Sequence, residues 1–310
     1  MPSETSTRVP VPWFLWLLAL AARLFAWRQW CGGMVWPDEI FQSLEPAHHL
    51  AFGQAALSWE WIAGSRSWLA PLFYAIPFRV QAAFGLDGPG QLLWGARLGS
   101  VLVSLLIVKA AWRLGDLGGG STGAWLSGIA AALSPSLLFD APRTLNDGPS
   151  AAFIALCLTL LAELPTDERP AQTAVFAGLL AGLAYIFRAT AAIFVLVPVL
   201  YLLLSHRRRH AFVFLGCLGA VVMATGLLDW PTWGTPFHST WHYVKFNLVD
   251  GMAAQVFGSD PQEYYAGILH RDLGILAFAT IGAAVLGAMG LWTTGLSLLL
   301  GLILMSWTCL

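Results

Sequence analysis

Charge is what this sequence has least of. Only 11% of its 310 residues are Asp, Glu, Lys or Arg, and the formal net charge is -1. A nucleic-acid partner would need a basic face to neutralise phosphates, so this balance argues against one. Cysteine is also scarce. Cys31, Cys157, Cys217 and Cys309 show no C-x-x-C spacing, and three of them lie in apolar runs where a thiol behaves as a small hydrophobe. Neither a disulfide framework nor a metal cluster is expected. His238 and His242 stand at i, i+4 spacing, but no H-E-x-x-H pattern and no obvious third ligand accompany them. Internal repeats, soluble domains and low-complexity tracts are missing too, apart from a short polar start, Met1 to Arg8.

Apolar residues are abundant instead. They make up 57% of the chain, with a mean hydropathy of +0.68, whereas an average soluble domain is roughly 45 to 50% apolar. The expectation is an all-α, polytopic membrane helix bundle forming one domain over residues 1–310. Runs long enough to cross the hydrocarbon centre near residues 20, 102, 131, 156, 180, 197, 220, 281 and 300, which makes about nine transmembrane helices. The first run, Pro12 to Trp27, has no small-residue cleavage site after it and reads as a retained span.

Orientation follows from His206-Arg207-Arg208-Arg209-His210, a basic loop of the kind held in the cytoplasm by the positive-inside bias. Counting spans from it places Lys109, Arg113 and Arg169 inside. Two long segments, 31–90 and 229–271, then fall on the extracytoplasmic face, together with Arg143, Arg188 and Lys245. Both segments are rich in Trp, Tyr, Pro and His rather than in linker residues.

The densest chemistry lies between Trp36 and Pro71. With Pro37 in the first turn of a helix, Asp38, Gln42, Glu45 and His49 fall at i, i+4, i+7 and i+11 on one face. Glu39, rotated by about 100°, points elsewhere. Trp59-Glu60-Trp61 sets aromatic faces beside a carboxylate, a combination suited to a sugar's apolar face and hydroxyls. Arg66 offers a fixed fork of donors for a phosphate or a carboxylate. The same pattern also describes an amphipathic helix lying in the membrane interface. Arg143 and Arg188 stand at outer ends of spans, where a guanidinium needs an anion or water. A lipid-linked phosphate is one such anion; Asp140, Asp147 and the acids of the first loop are others.

Pro37-Asp38-Glu39, Gln42-Ser43-Leu44-Glu45, His48-His49, Trp59-Glu60-Trp61 and Arg66-Ser67 resemble the first luminal loop of the GPI and asparagine-linked-glycan mannosyltransferases, and the GPI members above all. The likeness continues more loosely through Arg143-Thr144-Leu145, Arg188-Ala189-Thr190, Asp229 to Gly234, Lys245-Phe246-Asn247 and Phe257-Gly258-Ser259. It implies a GT-C fold with a large helical first extracytoplasmic loop. It also implies transfer with inversion from a polyprenyl-phosphate sugar, on the extracytoplasmic face of a bacterial cytoplasmic or endoplasmic reticulum membrane. The acceptor would be a glycolipid or glycan, with no cofactor and no obligatory metal.

On this resemblance Asp38 is the essential acid, Glu39 and the Gln42 to His49 segment shape the acceptor pocket, and Arg188 faces the donor phosphate; for the displacement itself, Glu39 is the reserve base and Arg143 or Lys245 the helper at the phosphate. Gln42, Glu45, His49, Trp59, Glu60, Trp61 and Arg66 would serve the acceptor or sugar. Departures occur at Asn146-Asp147-Gly148-Pro149, at Ala189 and over Asp260 to Tyr265, and they bear on the acceptor more than on the reaction. The family continues, past the position of Leu310, to a His-Lys-Glu-x-Arg-Phe motif and further spans, so the expectation is a chain shorter than the family at its C-terminus. The rival functions are a lipid-linked-sugar transporter or flippase and a non-catalytic paralogue that only binds such lipids.

Overall fold

The computed structural model describes residues 9–30, 33–204 and 206–258, together with 260, 261, 263, 264 and 267. Every regular element among them is helical. The long elements are α1 (Trp13–Trp30), α5 (Pro89–Leu133), α7 (Asp147–Glu163), α8 (Pro170–Phe187), α9 (Ala192–Leu204) and α10 (Arg208–Trp233). Shorter ones are α2 (Glu45–Phe52), α3 (Trp59–Ile62), α4 (Leu69–Ala83), α6 (Pro135–Asp140), α11 (His238–Val244) and α12 (Met252–Phe257).

Four of these, α5, α7 with its short extension to Thr166, α8 and α10, are long and apolar enough to cross a membrane. The expected spans near 20, 102, 131, 156, 180, 197 and 220 each fall on a helix. Those near 281 and 300 lie outside the described residues, as do Cys31, Cys309 and the end of the 229–271 segment.

The 45-residue α5 is two helices folded back on each other. Its helical geometry fails at Gly119 and Gly120, and Gly120 has φ +58, a left-handed conformation that glycine adopts without a Cβ clash. The arms then close tightly: a Cβ built on Gly115 would sit 2.3 Å from the carbonyl oxygen of Gly123. Ser127 of the second arm donates to the Ala111 carbonyl at 2.8 Å, and Trp112 and Trp125 meet edge-on.

From there α5 packs on α1 and α7, α7 on α8, and α8 on α10. Small residues permit these approaches. α8 buries Ala174, Ala177, Gly178, Ala181 and Gly182. A Cβ on Gly178 would lie 2.5 Å from the Phe214 carbonyl, and one on Gly182 2.5 Å from Val221. Dispersion between closely spaced backbones is the attraction available to helices whose surroundings are as apolar as they are.

Buried charge sits inside this packing as well. Arg23 of α1 is 0% exposed. Its guanidinium donates to Ser104 and to the carbonyls of Ala19, Ala131 and Ala132. The last two belong to the final turn of α5, whose carbonyls lack helical partners, so the cation caps that end and fixes where α6 begins.

All the intervening segments that carry chemistry collect at one end of the bundle: 33–88, 134–146, 188–191 and 234–257. Trp68 ties the first of them to the end of α10, packing against His49 and Trp61 and stacking on Trp233. Trp233 stacks in turn on His238, and His238 on His242. Gly64 makes room for this contact, since a Cβ there would lie 2.7 Å from the His238 ring. Ser65 and His242 share a 2.7 Å hydrogen bond. Asp229, 1% exposed, accepts from the backbone and hydroxyl of Ser239 and so pins α11 to α10. Arg207 to Arg209 lie at the opposite end of α10, about 39 Å away at 1.5 Å per residue over 26 residues.

Candidate active site

The helix of the first loop begins at Pro37, as its proline predicts, and Asp38 occupies the first turn. The chain then enters a π-helical segment, Glu39–Leu44, before continuing as α2. Each i→i+5 bond adds a residue to the turn, so the regular spacing that would align Asp38 with Gln42, Glu45 and His49 is lost. Asp38 remains exposed, while Gln42 and Ser43 turn into the protein. Glu45 accepts from the Ala56 backbone at 2.7 Å, and His49 stacks on Trp68.

Glu39 goes inward completely, at 0% exposure. Its carboxylate accepts from the backbone N–H groups of Val35, Trp36 and Thr144 and pairs with Arg143 at 3.5 Å. Adjacent acids thus have opposite environments. Asp38 opens outward, and Glu39 clamps the loop to the segment after α6.

Asp38 opens onto a cavity of about 520 Å³, within the ordinary size range of ligand sites. Its floor comes from Ser100, Ser104 and Ile107 of α5, one side from Pro135 to Ala141, and the other from Arg143 to Ala151, with Arg188 closing it. Arg188 and Asp147 form an ion pair of 2.6 Å. Arg143 donates to the Gly33 carbonyl at 2.9 Å and lies over the Phe139 ring at 4.6 Å, while its Nε and Nη2 have no hydrogen-bond partner among the described residues.

Both acids of the cavity outside the spans have weakened acidity. Desolvation raises the Asp38 carboxyl, Glu60 and Asp147 add to the rise, and Arg66 and Arg188 oppose it. Asp140 is pushed up to about 7, first by desolvation and then by Asp147 and Glu39, against the opposing Arg143. A carboxylate raised toward neutrality is a better proton acceptor than an ordinary one.

Of the site residues expected from the sequence, Asp38, Arg143 and Arg188 meet at this cavity. Arg66 lies beside it, ion-paired to Glu60 at 2.7 Å. It lines a smaller cleft of about 50 Å³ with Tyr185, Thr240 and Tyr243, and Arg188 forms a wall of that cleft as well. The remaining candidates line neither space. Trp59 stacks on Phe246, and Trp61, 2% exposed, donates to the Phe41 carbonyl. Lys245 is exposed at the head of a second π-helical segment, Lys245–Val249.

Asp140 and Phe139 are cavity residues that the motif reading did not single out as a site. The signal for Asp140 is an acid stranded in the otherwise uncharged stretch Pro135 to Pro142.

The model of the Alg9-like mannosyltransferase family matches residues 13–309. GPI mannosyltransferase 3 of Yarrowia lipolytica is 30% identical over 265 residues, covering 83% of this chain and 49% of that protein. GPI alpha-1,2-mannosyltransferase 3 of Mus musculus is 28% identical, covering 74% of this chain and 42% of the relative. Its Xenopus laevis counterpart is 26% identical, covering 74% and 43%. The chain thus spans about half the length of the curated relatives it matches. No solved structure matches it. With four helices long and apolar enough to cross a membrane, the chain is an integral membrane protein, and it belongs to the Alg9-like mannosyltransferase family.

Proposed function

We propose that this protein transfers mannose, or a closely related hexose, from a polyprenyl-phosphate sugar to a glycolipid or glycan acceptor on the extracytoplasmic face of its membrane. One observation carries the proposal: Asp38, a carboxyl raised by desolvation, and Arg188, a guanidinium, open onto the same cavity. A base and an anion-stabilising cation are what a single displacement at the anomeric carbon requires.

In that displacement Asp38 takes the proton from an acceptor hydroxyl as its oxygen bonds to the anomeric carbon. The bond from that carbon to the phosphate oxygen breaks, and the electron pair leaves with the phosphate. Arg188, oriented by Asp147, faces the departing anion, and Arg143 stands nearby with two unpaired donor nitrogens. The configuration inverts, and no covalent enzyme intermediate forms. Because the leaving group is already a weakly basic anion, no metal is needed to assist it. Glu39, closed off in its buried network, holds the loop that presents Asp38.

The test supplies labelled polyprenyl-phosphate mannose and glycolipid acceptors to the full chain in lipid nanodiscs. Transfer from the lipid-linked donor, lost in Asp38→Asn and in Arg188→Ala, is the expected result. Undiminished transfer by Asp38→Asn removes the base assignment, and an absolute requirement for a nucleotide-sugar removes the donor assignment.

A further inference from the structure

Most polar groups around the cavity are already engaged. Asp147 and Arg188 hold each other at 2.6 Å. Ser100 meets the Tyr74 hydroxyl at 3.2 Å, and Ser104 accepts from Arg23 at 2.8 Å. Asp140 is different. Its side chain lines the cavity, and its carboxyl makes no hydrogen bond or ion pair with any described residue.

That position is unfavourable for a carboxylate, and Arg143 offsets only part of the cost. Asp140 is the last residue of α6, where the helix dipole disfavours negative charge, and it is largely desolvated. Burial holds it near 7, so both protonation states are populated at neutral pH and the group can accept or donate a hydrogen bond. Its backbone is fixed, since its carbonyl accepts from the Arg143 N–H at 2.9 Å. Ahead of it, Arg23 anchors the chain at Ala131 and Ala132. A stability cost held in a rigid frame, facing an open space, indicates a partner that arrives with the substrate.

Resting on the glycosyl-transfer reading above, we propose that Asp140 is a specificity-determining residue that hydrogen-bonds a ring hydroxyl of the hexose being transferred. With the donor phosphate on Arg188 and the acceptor hydroxyl at Asp38, the sugar ring must occupy the rest of the cavity. Asp147 bears on both acids electrostatically, which sets them around one shared volume. Phe139, beside Asp140, lines the same cavity with Arg143 over its ring, so the apolar and the polar wall of this corner are contiguous. A site built to bond a hydroxyl rejects the analogue lacking it far more strongly than a hydrophobic wall could, because the site's own polar group is then left unpaired.

The experiment compares polyprenyl-phosphate mannose with its four donors singly deoxygenated at C2, C3, C4 or C6, using the wild-type chain, Asp140→Asn and Asp140→Ala. The wild type is expected to prefer mannose over one of the four by about 100-fold or more. Asp140→Ala is expected to reduce that one preference to under about 10-fold and leave the other three unchanged, with Asp140→Asn intermediate. A merely structural role would slow all five donors alike. If Asp140→Ala turns over too slowly to compare rates, the same ratios are read from donor binding by competition. An unaltered pattern of preferences across all four analogues overturns the inference while leaving the transferase reading intact. A wild-type chain that transfers sugar from none of these donors overturns that reading, and the inference with it.

Discussion

The Arg188 guanidinium donates to the Asp147 carboxylate at 2.6 Å, and each side chain keeps about a quarter of its surface exposed, 27% and 26%. A pair this open to water contributes little to stability, within about 1 kcal/mol. Its use is directional, since Arg188 walls two cavities and Asp147 sets the plane of its fork.

Asp147→Asn should therefore leave the thermal midpoint nearly unchanged while lowering the transfer rate by about 10-fold, in the range expected when a positioning contact is lost. Arg188→Lys should not restore the rate of Arg188→Ala, because a point charge lacks the fork. Thermal unfolding in detergent and initial rates decide this. A large loss of stability with full activity would mean the pair is only structural.

For Asp38→Asn the expected loss in rate is about 10²- to 10⁴-fold, the usual contribution of a general base. Because Asp38 makes no hydrogen bond to the described residues and its partly desolvated carboxyl is not a stabilising charge, the unfolding temperature should not fall. A variant that misfolds would show instead that the group has a structural task.

Replacing Glu39 should have the opposite profile. Glu39→Ala leaves Arg143 buried without its counter-charge and strands three backbone donors. The expected cost is about 3 to 5 kcal/mol. Combining it with Arg143→Met should cost less than the sum of the two single changes, as coupled sites do. Additive losses in that double-mutant cycle would show that the two residues do not interact.

Two pH effects follow from the cavity acids. As a base, Asp38 must be ionised, and its raised pKa places the acid limb of the rate profile above the ordinary aspartate value of 3.8. Asp140 affects stability: its folded pKa of about 7 exceeds the ordinary 3.8, so its contribution is fully present below 3.8 and lost as the pH rises through 7. Unfolding temperature should therefore decline across that window in the wild type and decline less in Asp140→Asn. Parallel curves would exclude Asp140 as the source.

Sequence patterns made the helical architecture readable because span length and apolar runs depend on the membrane alone. The reversal at Gly119 and Gly120 was legible as two span centres, near 102 and 131, although the helices merge into one long element. The place of Asp38 in the first turn of a helix was legible from Pro37. What the spacing missed was the π-helical segment after it. The spacing argument assumed an α-helical period throughout, and Gln42, Glu45 and His49, grouped with Asp38 on that basis, do not line the cavity that Asp38 lines. Asp140 was missed for a different reason. Its meaning depends on the Arg23 anchor and on Arg143, residues far from it or paired elsewhere, and only packing shows that its carboxyl has no partner.

The Arg23 anchor also bears on how the protein is made. The first helix carries a cation whose acceptors include Ser104, Ala131 and Ala132, and these are synthesised later, at separations of 81, 108 and 109 residues. Until the α5 hairpin arrives, that charge has only the Ala19 carbonyl of its own helix and whatever lipid headgroups or water it can reach. The Arg23 charge is therefore fully engaged only once the α5 hairpin has been made and has packed against α1.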